Sequence, residues 1–308
     1  MVSSGADSAP VVWTERVVAG QRWHYATTGQ GCTRGTVLML HGFPDCAAHW
    51  LPVAHRLSDS GYRCLVPEMP GYGGTDPLPH GHDIESIAEA LLALMAELMP
   101  GHAFYVAGHD WGAVVTYAMC NLDPTRIRSA VTMAVPPLST FQRNLLRHAG
   151  QLRRSWYMGY FQLPGKPESA LADPSGALLR RLWRTWSPAI ADVDPYVARV
   201  QQALRSPVQQ SAALAYYRAL FGRGLGGWQR WRSNYRLAQR KLAVPIRIVA
   251  GLQDGCVGSA IFADCAAAFV HPHFCDYQPV LQAGHFMNID QPELVVELAR
   301  DWFARSPV

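Results

Sequence analysis

The segment 108–112 holds the side chain best suited to covalent chemistry. It reads Gly-His-Asp-Trp-Gly, directly follows a short apolar run and opens an apolar helical pattern. Glycine on either side permits the tight strand-to-helix turn that presents its central residue above a sheet. Most turns of this form present Ser, whereas here the central residue is Asp110. We take Asp110 as a candidate nucleophile, with a simple helix N-cap as the plainer alternative.

Two further residues stand where such a nucleophile needs partners. Asp254 follows the apolar run 246–250, and His285 lies in a loop after the run 274–280. The chain order Asp110, Asp254, His285 is the order nucleophile, acid, base that accompanies this type of turn. We expect no metal and no cofactor, because no carboxylate or Cys pattern completes a site around the histidines of the polar or proline-rich connections, which are His80, His82, His271 and His273.

A third loop follows another apolar run and reads His-Gly-Phe-Pro-Asp at 41–45. It can aim the backbone N–H of Phe43 at the same point as the N–H of Trp111, which begins a helix and so lacks an intrahelical acceptor. Two such donors form an oxyanion hole. An ordinary strand-to-helix loop, with Asp45 as a cap, is the alternative.

A parallel sheet would bring these loops together at the carboxyl ends of its strands. Alternating residues in Val11–Val18 and Gln21–Thr28 predict an antiparallel hairpin. Continuous apolar runs then alternate with helical patterns, which predicts an α/β fold: a mostly parallel eight-stranded sheet with helices on both faces. The runs are Thr36–Leu40, Arg63–Pro67, Ala103–Ala107, Ser129–Val135, Ile246–Ala250 and Phe274–Val280, and the helical patterns are Asp45–Ser58, Ile84–Leu98, Trp111–Asn121, Ser259–Val270 and Gln291–Arg305.

The alternation is interrupted once, after the sixth strand. From Pro136 to about Lys241 the sequence has helical stretches divided by Gly and Pro and no strand-like run. We therefore predict a core in two parts, 1–136 and 243–308, and an all-helical cap at 137–242. The cap segment has 17 Lys and Arg against 4 Asp and Glu, while the rest has 10 against 19, and it holds five of the ten tryptophans.

This basic, aromatic composition limits the partners. No nucleic-acid-binding motif is present, so we expect no nucleic acid. A cap that contacts a membrane surface, or that attracts the anionic end of an apolar substrate, fits better, with a solvated basic exterior as the alternative. Seven scattered cysteines exclude a disulfide scaffold, and the first ten residues lack the features of a signal peptide. We expect a cytoplasmic protein and leave a homodimer open.

Together these residues resemble the α/β-hydrolase superfamily and, within it, the soluble epoxide hydrolases. The resemblance covers residues 12 to 304, including the loop at 41–44, the glycine-rich turn at 71–76, the Asp turn and the loops of Asp254 and His285. It implies a cofactor-independent hydrolase that adds water to a small apolar epoxide and releases a vicinal diol, an activity of detoxification.

The resemblance also places two phenols in the predicted cap. Residues 155–165 look like the first lid-tyrosine motif of that family, with its phenol at Tyr157. The segment 215–218 is similar to the second motif, with its phenol at Tyr217. Tyr216 stays open as a substitute, because Ala215 and Tyr216 replace the usual Asn and Trp. Helix packing in a tryptophan-rich cap is the alternative role for these tyrosines.

The chemistry of the set is a two-step hydrolysis. The carboxylate of Asp110 attacks an epoxide carbon and forms an alkyl ester, while a phenol donates its proton to the ring oxygen. His285, oriented by Asp254, then activates a water that hydrolyses the ester. The N–H groups of Phe43 and Trp111 hold the oxyanion of this second step.

Two other functions share part of this set. Haloalkane dehalogenases also use an Asp followed by a Trp, but they need a second donor for the halide, and the side chain of Phe43 offers none. A catalytically silent relative used for binding would keep the fold, but the intact nucleophile, acid, base and paired phenols argue against it.

Overall fold

The computed structural model describes residues 10–145, 147–222 and 224–305. The expected absence of a signal peptide concerns residues 1–10 and falls outside the described residues except for Pro10. The outer ends of the two predicted core parts, 1–9 and 306–308, fall outside them as well.

The described residues form an eight-stranded sheet in the order β1-β2-β4-β3-β5-β6-β7-β8. β1 pairs with β2 and β2 with β4 in antiparallel fashion, and all other neighbours are parallel. The predicted mostly parallel sheet is thereby confirmed. Its strands are β1 (Val12–Val18), β2 (Gln21–Thr28), β3 (Thr36–Leu40), β4 (Arg63–Pro67), β5 (Phe104–His109), β6 (Ile127–Met133), β7 (Ile246–Gly251) and β8 (Cys275–Val280).

The continuous apolar runs arise because the central strands are covered on both faces. In β3, Leu38 and Leu40 belong to one buried cluster, and Val37 and Met39 belong to another. Successive side chains of a strand point to opposite faces, so both sets must be apolar. The first cluster packs under α2 (Ile84–Leu98) and α3 (Trp111–Leu122), and the second under α1 (Leu51–Asp59) and α13 (Pro292–Arg305).

Two of the predicted helices differ from the structure. The pattern 45–58 begins as a 3₁₀ turn, Ala47–Trp50, and becomes α-helical only at α1, whose second residue is a proline. The prediction of one helix over 259–270 is wrong: two 3₁₀ turns, Ser259–Phe262 and Cys265–Ala268, stand there instead. Asp264 between them has a φ of 56°, a left-handed conformation that no helix continues through.

Between β6 and β7 the described residues form helices and no strand. We call residues 138–239 the helical segment; its limits as an independent cap stay a prediction. It comprises α4 (Leu138–Leu145), α5 (Ala149–Arg154), α6 (Trp156–Tyr160), α7 (Lys166–Ala172), α8 (Ala177–Trp186), α9 (Asp194–Ala203), α10 (Pro207–Ala219) and α11 (Gly224–Gln239), and a short helix α12 (Met287–Asp290) precedes α13. Among the described residues, no helix is both long enough and apolar enough to cross a bilayer.

Candidate active site

Asp110 occupies the sharp turn between β5 and α3. Its φ of 53° and ψ of −115° are unusual for a residue with a side chain, and strain of this kind is concentrated at functional sites. Its side chain makes no N-cap hydrogen bond, so the capping alternative does not describe it. A Cβ atom on Gly112 would lie 2.2 Å from the carbonyl oxygen of Leu40, which explains why glycine is needed where α3 passes β3.

The carboxylate of Asp110 faces the loop after β3. The backbone N–H of Phe43 donates to Asp110 Oδ1 at 2.8 Å. A Cβ atom on Gly42 would lie 2.3 Å from the same oxygen, so only glycine lets this loop approach the carboxylate. Phe43 therefore stands in the predicted oxyanion position, and Trp111 opens α3 immediately after Asp110, where a backbone N–H has no intrahelical acceptor.

His285 lies between two carboxylates. Its Nδ1 atom is 2.9 Å from Asp254 Oδ2, and its Nε2 atom is 3.5 Å from Asp110 Oδ2. All three side chains are buried. The structure thus brings the predicted nucleophile, acid and base together in one chain of contacts.

The charges of the two carboxylates that contact His285 set its protonation state. Burial alone lowers the pKa of the imidazole, but the negative charges and hydrogen bonds of Asp254 and Asp110 outweigh burial and raise the pKa to about 10. The imidazole of His285 is therefore a cation at neutral pH. Asp254 holds its own position through Oδ1, which accepts the backbone N–H groups of Cys256 at 2.6 Å and Val257 at 2.9 Å.

Tyr157 and Tyr217 reach the same site from the helical segment. Their rings are 5.7 Å apart, and the ring of Tyr217 lies 5.2 Å from Trp111 and 5.4 Å from Phe43. Burial, reinforced by nearby groups that include Asp110, raises the pKa of each phenol well above its usual value. The Trp111 side chain offsets this shift only in part for Tyr217. Both phenols consequently keep their protons at neutral and mildly alkaline pH.

The two hydroxyl groups differ in their contacts. The oxygen of Tyr157 lies 3.3 Å from the Cys256 sulfur, while the buried oxygen of Tyr217 makes no hydrogen bond of normal geometry with a described residue, although the Trp111 side chain is close enough to lower its pKa. Tyr216, the substitute that the sequence left open, donates its hydroxyl to the carbonyl oxygen of Pro70 at 2.9 Å and packs beside His82. The structure therefore turns Tyr217, and not Tyr216, toward Asp110.

One cavity joins Asp110 to both phenols. The volume of this cavity is about 60 Å³. None of its described lining side chains is cationic, so the arginines of the helical segment are not placed to meet a substrate carboxylate inside it. The lining residues are Asp110, Trp111, Val114, Val135, Leu138, Phe141, Tyr157, Met158, Tyr217, Leu220 and Val257.

Sequence reasoning missed the groups that hold the acid and base loops in place. The carbonyl oxygen of Trp186, the last residue of α8, accepts the N–H of Gly255 at 3.1 Å and of His285 at 2.9 Å. The hydroxyl of Ser187 accepts the N–H of Phe286 at 2.8 Å. A backbone acceptor leaves no sequence signal. Cys256 was also missed, although its place two residues after Asp254 could have drawn attention to it.

Two groups of buried side chains bring possible metal ligands within 4.8 Å of one another: Asp45, Cys46 and His49, and Asp254, Cys256 and His285. Hydrogen bonds engage part of each group: His49 Nδ1 lies 2.5 Å from Asp45 Oδ1, and Asp254 Oδ1 accepts two backbone N–H groups. Burial raises the pKa of both thiols well above its usual value, which opposes the thiolate that metals bind. We assign neither group to a metal, and the expectation of no metal and no cofactor stays a prediction.

Comparison with known proteins agrees with this architecture. A family model described as the alpha/beta hydrolase fold matches residues 35–292. The chain is 26% identical over 272 residues to the AB hydrolase superfamily protein YfhM of Bacillus subtilis, covering 86% of this chain and 89% of that protein. It is 28% identical over 284 residues to epoxide hydrolase A of Mycobacterium tuberculosis, covering 83% and 86%.

Solved structures show the same fold. An epoxide hydrolase from Vigna radiata superposes with a TM-score of 0.77 at 22% identity, covering 98% of this chain and 100% of that one. At this identity the likeness concerns the fold alone.

Proposed function

The chain belongs to the α/β-hydrolase fold family, and we propose that it is an epoxide hydrolase that works through a covalent ester on Asp110. The observation that carries the proposal is the single cavity that contains a carboxylate and two buried phenols. An epoxide needs both at once, because the ring carbon takes a nucleophile while the ring oxygen takes a proton. The relatives named epoxide hydrolase support the same activity.

In the first step, Asp110 attacks one ring carbon and the carbon–oxygen bond of the ring breaks. Oδ2 is the natural nucleophile, since Oδ1 accepts the N–H of Phe43. The electron pair of the broken bond goes to the ring oxygen, which takes a proton from Tyr157 or Tyr217. The raised pKa of each phenol keeps this proton available in the resting enzyme.

In the second step, His285 removes a proton from water, which attacks the carboxyl carbon of the ester. The N–H of Phe43 holds the oxyanion that forms on Oδ1, together with the N–H of Trp111. Collapse of this intermediate breaks the bond between the carboxyl carbon and the diol oxygen, which takes the proton of the added hydroxyl, so that the diol leaves and the carboxylate of Asp110 is restored. One oxygen of the diol therefore comes from Asp110 and not directly from water.

Ester formation also prepares the base for its task. Asp110 contributes to the raised pKa of His285 through its charge and its hydrogen bond. The ester carries no charge, so the pKa of His285 falls when the first step is complete. His285 passes its proton to the phenolate that ring opening leaves on Tyr157 or Tyr217, and the imidazole is then a neutral base in the step that needs one.

The substrate that fits is a small, neutral, apolar epoxide, because the described cavity lining has no cationic side chain. Diol formation from a panel of aromatic, terpenoid and fatty epoxides tests the activity, and a single turnover in ¹⁸O-water tests the route. We expect label in Asp110 and none in the first diol. Direct labelling of the first diol would exclude the ester, and halide release from haloalkanes without any diol would favour a dehalogenase.

A further inference from the structure

Helix α11 exposes large aromatic side chains on one face. Trp228, Trp231 and Tyr235 are 52%, 38% and 44% exposed. Their spacing of three and four residues places them on one side of the helix. Arg232 and Arg236 are exposed beside them, and we call these five residues the α11 surface.

The opposite side of the helix is fastened to the body of the protein. Leu237 is buried, the side chain of Asn234 donates to Asp83 at 3.2 Å, and Ser233 donates to Glu85. The helix is therefore held in one orientation. The α11 surface faces solvent because the polar anchors and the buried leucine occupy the other side.

The charges carried by this segment of the chain have one sign, and Asp83 and Glu85 lie on the side that is fastened to the body. Residues 221–241 contain six Lys and Arg and no Asp or Glu. Neither Arg232 nor Arg236 forms an ion pair with a described residue, and Arg232 lies over the ring of Trp228 at 5.4 Å. Unpaired cations among exposed aromatic rings match a partner that is anionic at its surface and apolar beneath.

We propose that the α11 surface binds an anionic lipid membrane. Tryptophan and tyrosine rings favour the interface between lipid headgroups and acyl chains, and arginines attract anionic headgroups. A fixed amphipathic helix with aromatic residues and arginines on its exposed face has both properties. Tyr, Trp and Arg are also enriched at protein interfaces, but the six Lys and Arg of residues 221–241, with no Asp or Glu among them, favour an anionic membrane.

The position of this surface relates it to the active site. Trp231 and Tyr235 line a groove with Leu138 and Leu220, and the same two leucines line the cavity of Asp110. Docking by the α11 surface would place the membrane beside this groove. An apolar epoxide dissolved in the bilayer would then enter without crossing water; this part of the inference rests on the proposed function, whereas membrane binding does not.

Flotation with lipid vesicles tests the binding directly. We expect the full-length protein to bind vesicles of phosphatidylcholine with phosphatidylglycerol, and to bind phosphatidylcholine alone much more weakly. Added salt should weaken the binding because it screens the arginines. The double variant Arg232→Gln/Arg236→Gln should lose about 30-fold in affinity, since each cation contributes roughly 1 kcal/mol near an anionic surface.

A second surface of the chain offers a matched control. Trp13 is 39% exposed and lines a separate groove with Arg199 and Arg205, but Glu15 and Glu68 line it too. The variant Arg199→Gln/Arg205→Gln makes the same change of charge there and should bind vesicles as the wild type does. Replacing Trp228 by Ser should weaken binding where Trp13→Ser does not. Circular dichroism checks that all variants fold.

The proposal would be overturned by no binding to anionic vesicles, by equal losses in both double variants, or by a dimer in light scattering that Trp231→Ser disrupts. Binding to duplex nucleic acid in place of vesicles would overturn it as well. Substrate entry has its own test. Arg232→Gln/Arg236→Gln should slow turnover of a vesicle-borne epoxide and not of a water-soluble one. If no epoxide is turned over at all, the proposed function fails while the vesicle result stands.

Discussion

The loops at the sheet edge and the helical segment contribute different groups to one cavity. Around Asp110, His285 and Asp254, the loops supply charged groups with short contacts and several backbone donors. The helical segment supplies neutral phenols among apolar side chains, and the hydroxyl of Tyr217 makes no hydrogen bond of normal geometry with a described residue. The loops are organised for charge, and the helices contribute neutral hydroxyl groups, as the proposed ring opening requires.

This difference has a physical basis. A buried carboxylate must be paired, so its partners are built into the loops that surround it. A buried phenol is neutral, so a hydroxyl without a hydrogen-bond partner costs less free energy than an unpaired carboxylate. Substitutions in the two regions should therefore affect different steps of the reaction, and the following experiments distinguish those steps.

Replacing Asp110 by Asn should have the largest effect. The amide cannot form the ester, so turnover should fall on the order of 10⁴-fold or more. Intact-protein mass spectrometry should show no adduct with an epoxide. Any activity that grows slowly with storage should match the fraction of the introduced amide that has deamidated to the original carboxylate. Turnover without deamidation would mean that the loops do not supply the nucleophile.

Replacing His285 by Gln should stop the second step and spare the first. We expect one equivalent of epoxide to be consumed without diol, and the protein mass to rise by the mass of the substrate. Steady-state turnover should fall on the order of 10³-fold, since the general base is lost. If no adduct forms, His285 takes part in ring opening, and its role is not confined to ester hydrolysis.

Replacing Tyr157 or Tyr217 by Phe should slow ring opening and leave ester hydrolysis unchanged. Each single variant should lose on the order of 10²-fold in the rate of ester formation, and the double variant should be nearly inactive. Tyr216→Phe is the matched control, since its hydroxyl donates to Pro70. It should cost about 1 kcal/mol of stability and little activity. If Tyr216→Phe lost activity and Tyr217→Phe kept it, Tyr216 would be the proton donor in place of Tyr217.

The ion pairs of His285 should make stability depend on pH. The pKa is raised to about 10 in the folded protein, above the value of about 6.5 in an unfolded chain. The stabilisation is complete below pH 6.5 and is lost as the pH rises toward 10. Between these values only the folded state keeps the proton, so the free energy of unfolding falls by about 1.4 kcal/mol per pH unit. Urea unfolding should show this slope in the wild type and a shallower one in His285→Gln, because Glu68 also raises the pKa of His41.

Replacing Cys256, a positioning residue, should have the smallest effect on the reaction rate. Its sulfur contacts the hydroxyl of Tyr157 at 3.3 Å, and one such hydrogen bond is worth about 1 kcal/mol, or roughly fivefold in rate. Cys256→Ala should slow ester formation by about this factor without changing ester hydrolysis. Cys256→Ser, which keeps a donor and acceptor, should restore it. Equal losses in both steps would assign Cys256 to packing alone.

Features of the site that are specified within one short segment could be predicted from the sequence. Asp110 was identifiable because its glycines, the preceding strand and the following helix are all local features, and such a turn is specified by neighbours in the chain. The mostly parallel sheet followed from apolar runs alternating with helical patterns. The helix predicted over 259–270 failed because its apolar spacing gives no sign that Asp264 adopts a left-handed conformation.

Tertiary structure decided which side chains meet. Tyr216 and Tyr217 are adjacent in the chain and identical in type, and only the packing of α10 turns one toward Pro70 and the other toward the cavity. The carbonyl oxygen of Trp186 joins the loops of residues 255 and 285, and a backbone atom has no signature in sequence. Local patterns specify elements and turns, whereas the direction of a side chain and its distant partners depend on how those elements pack.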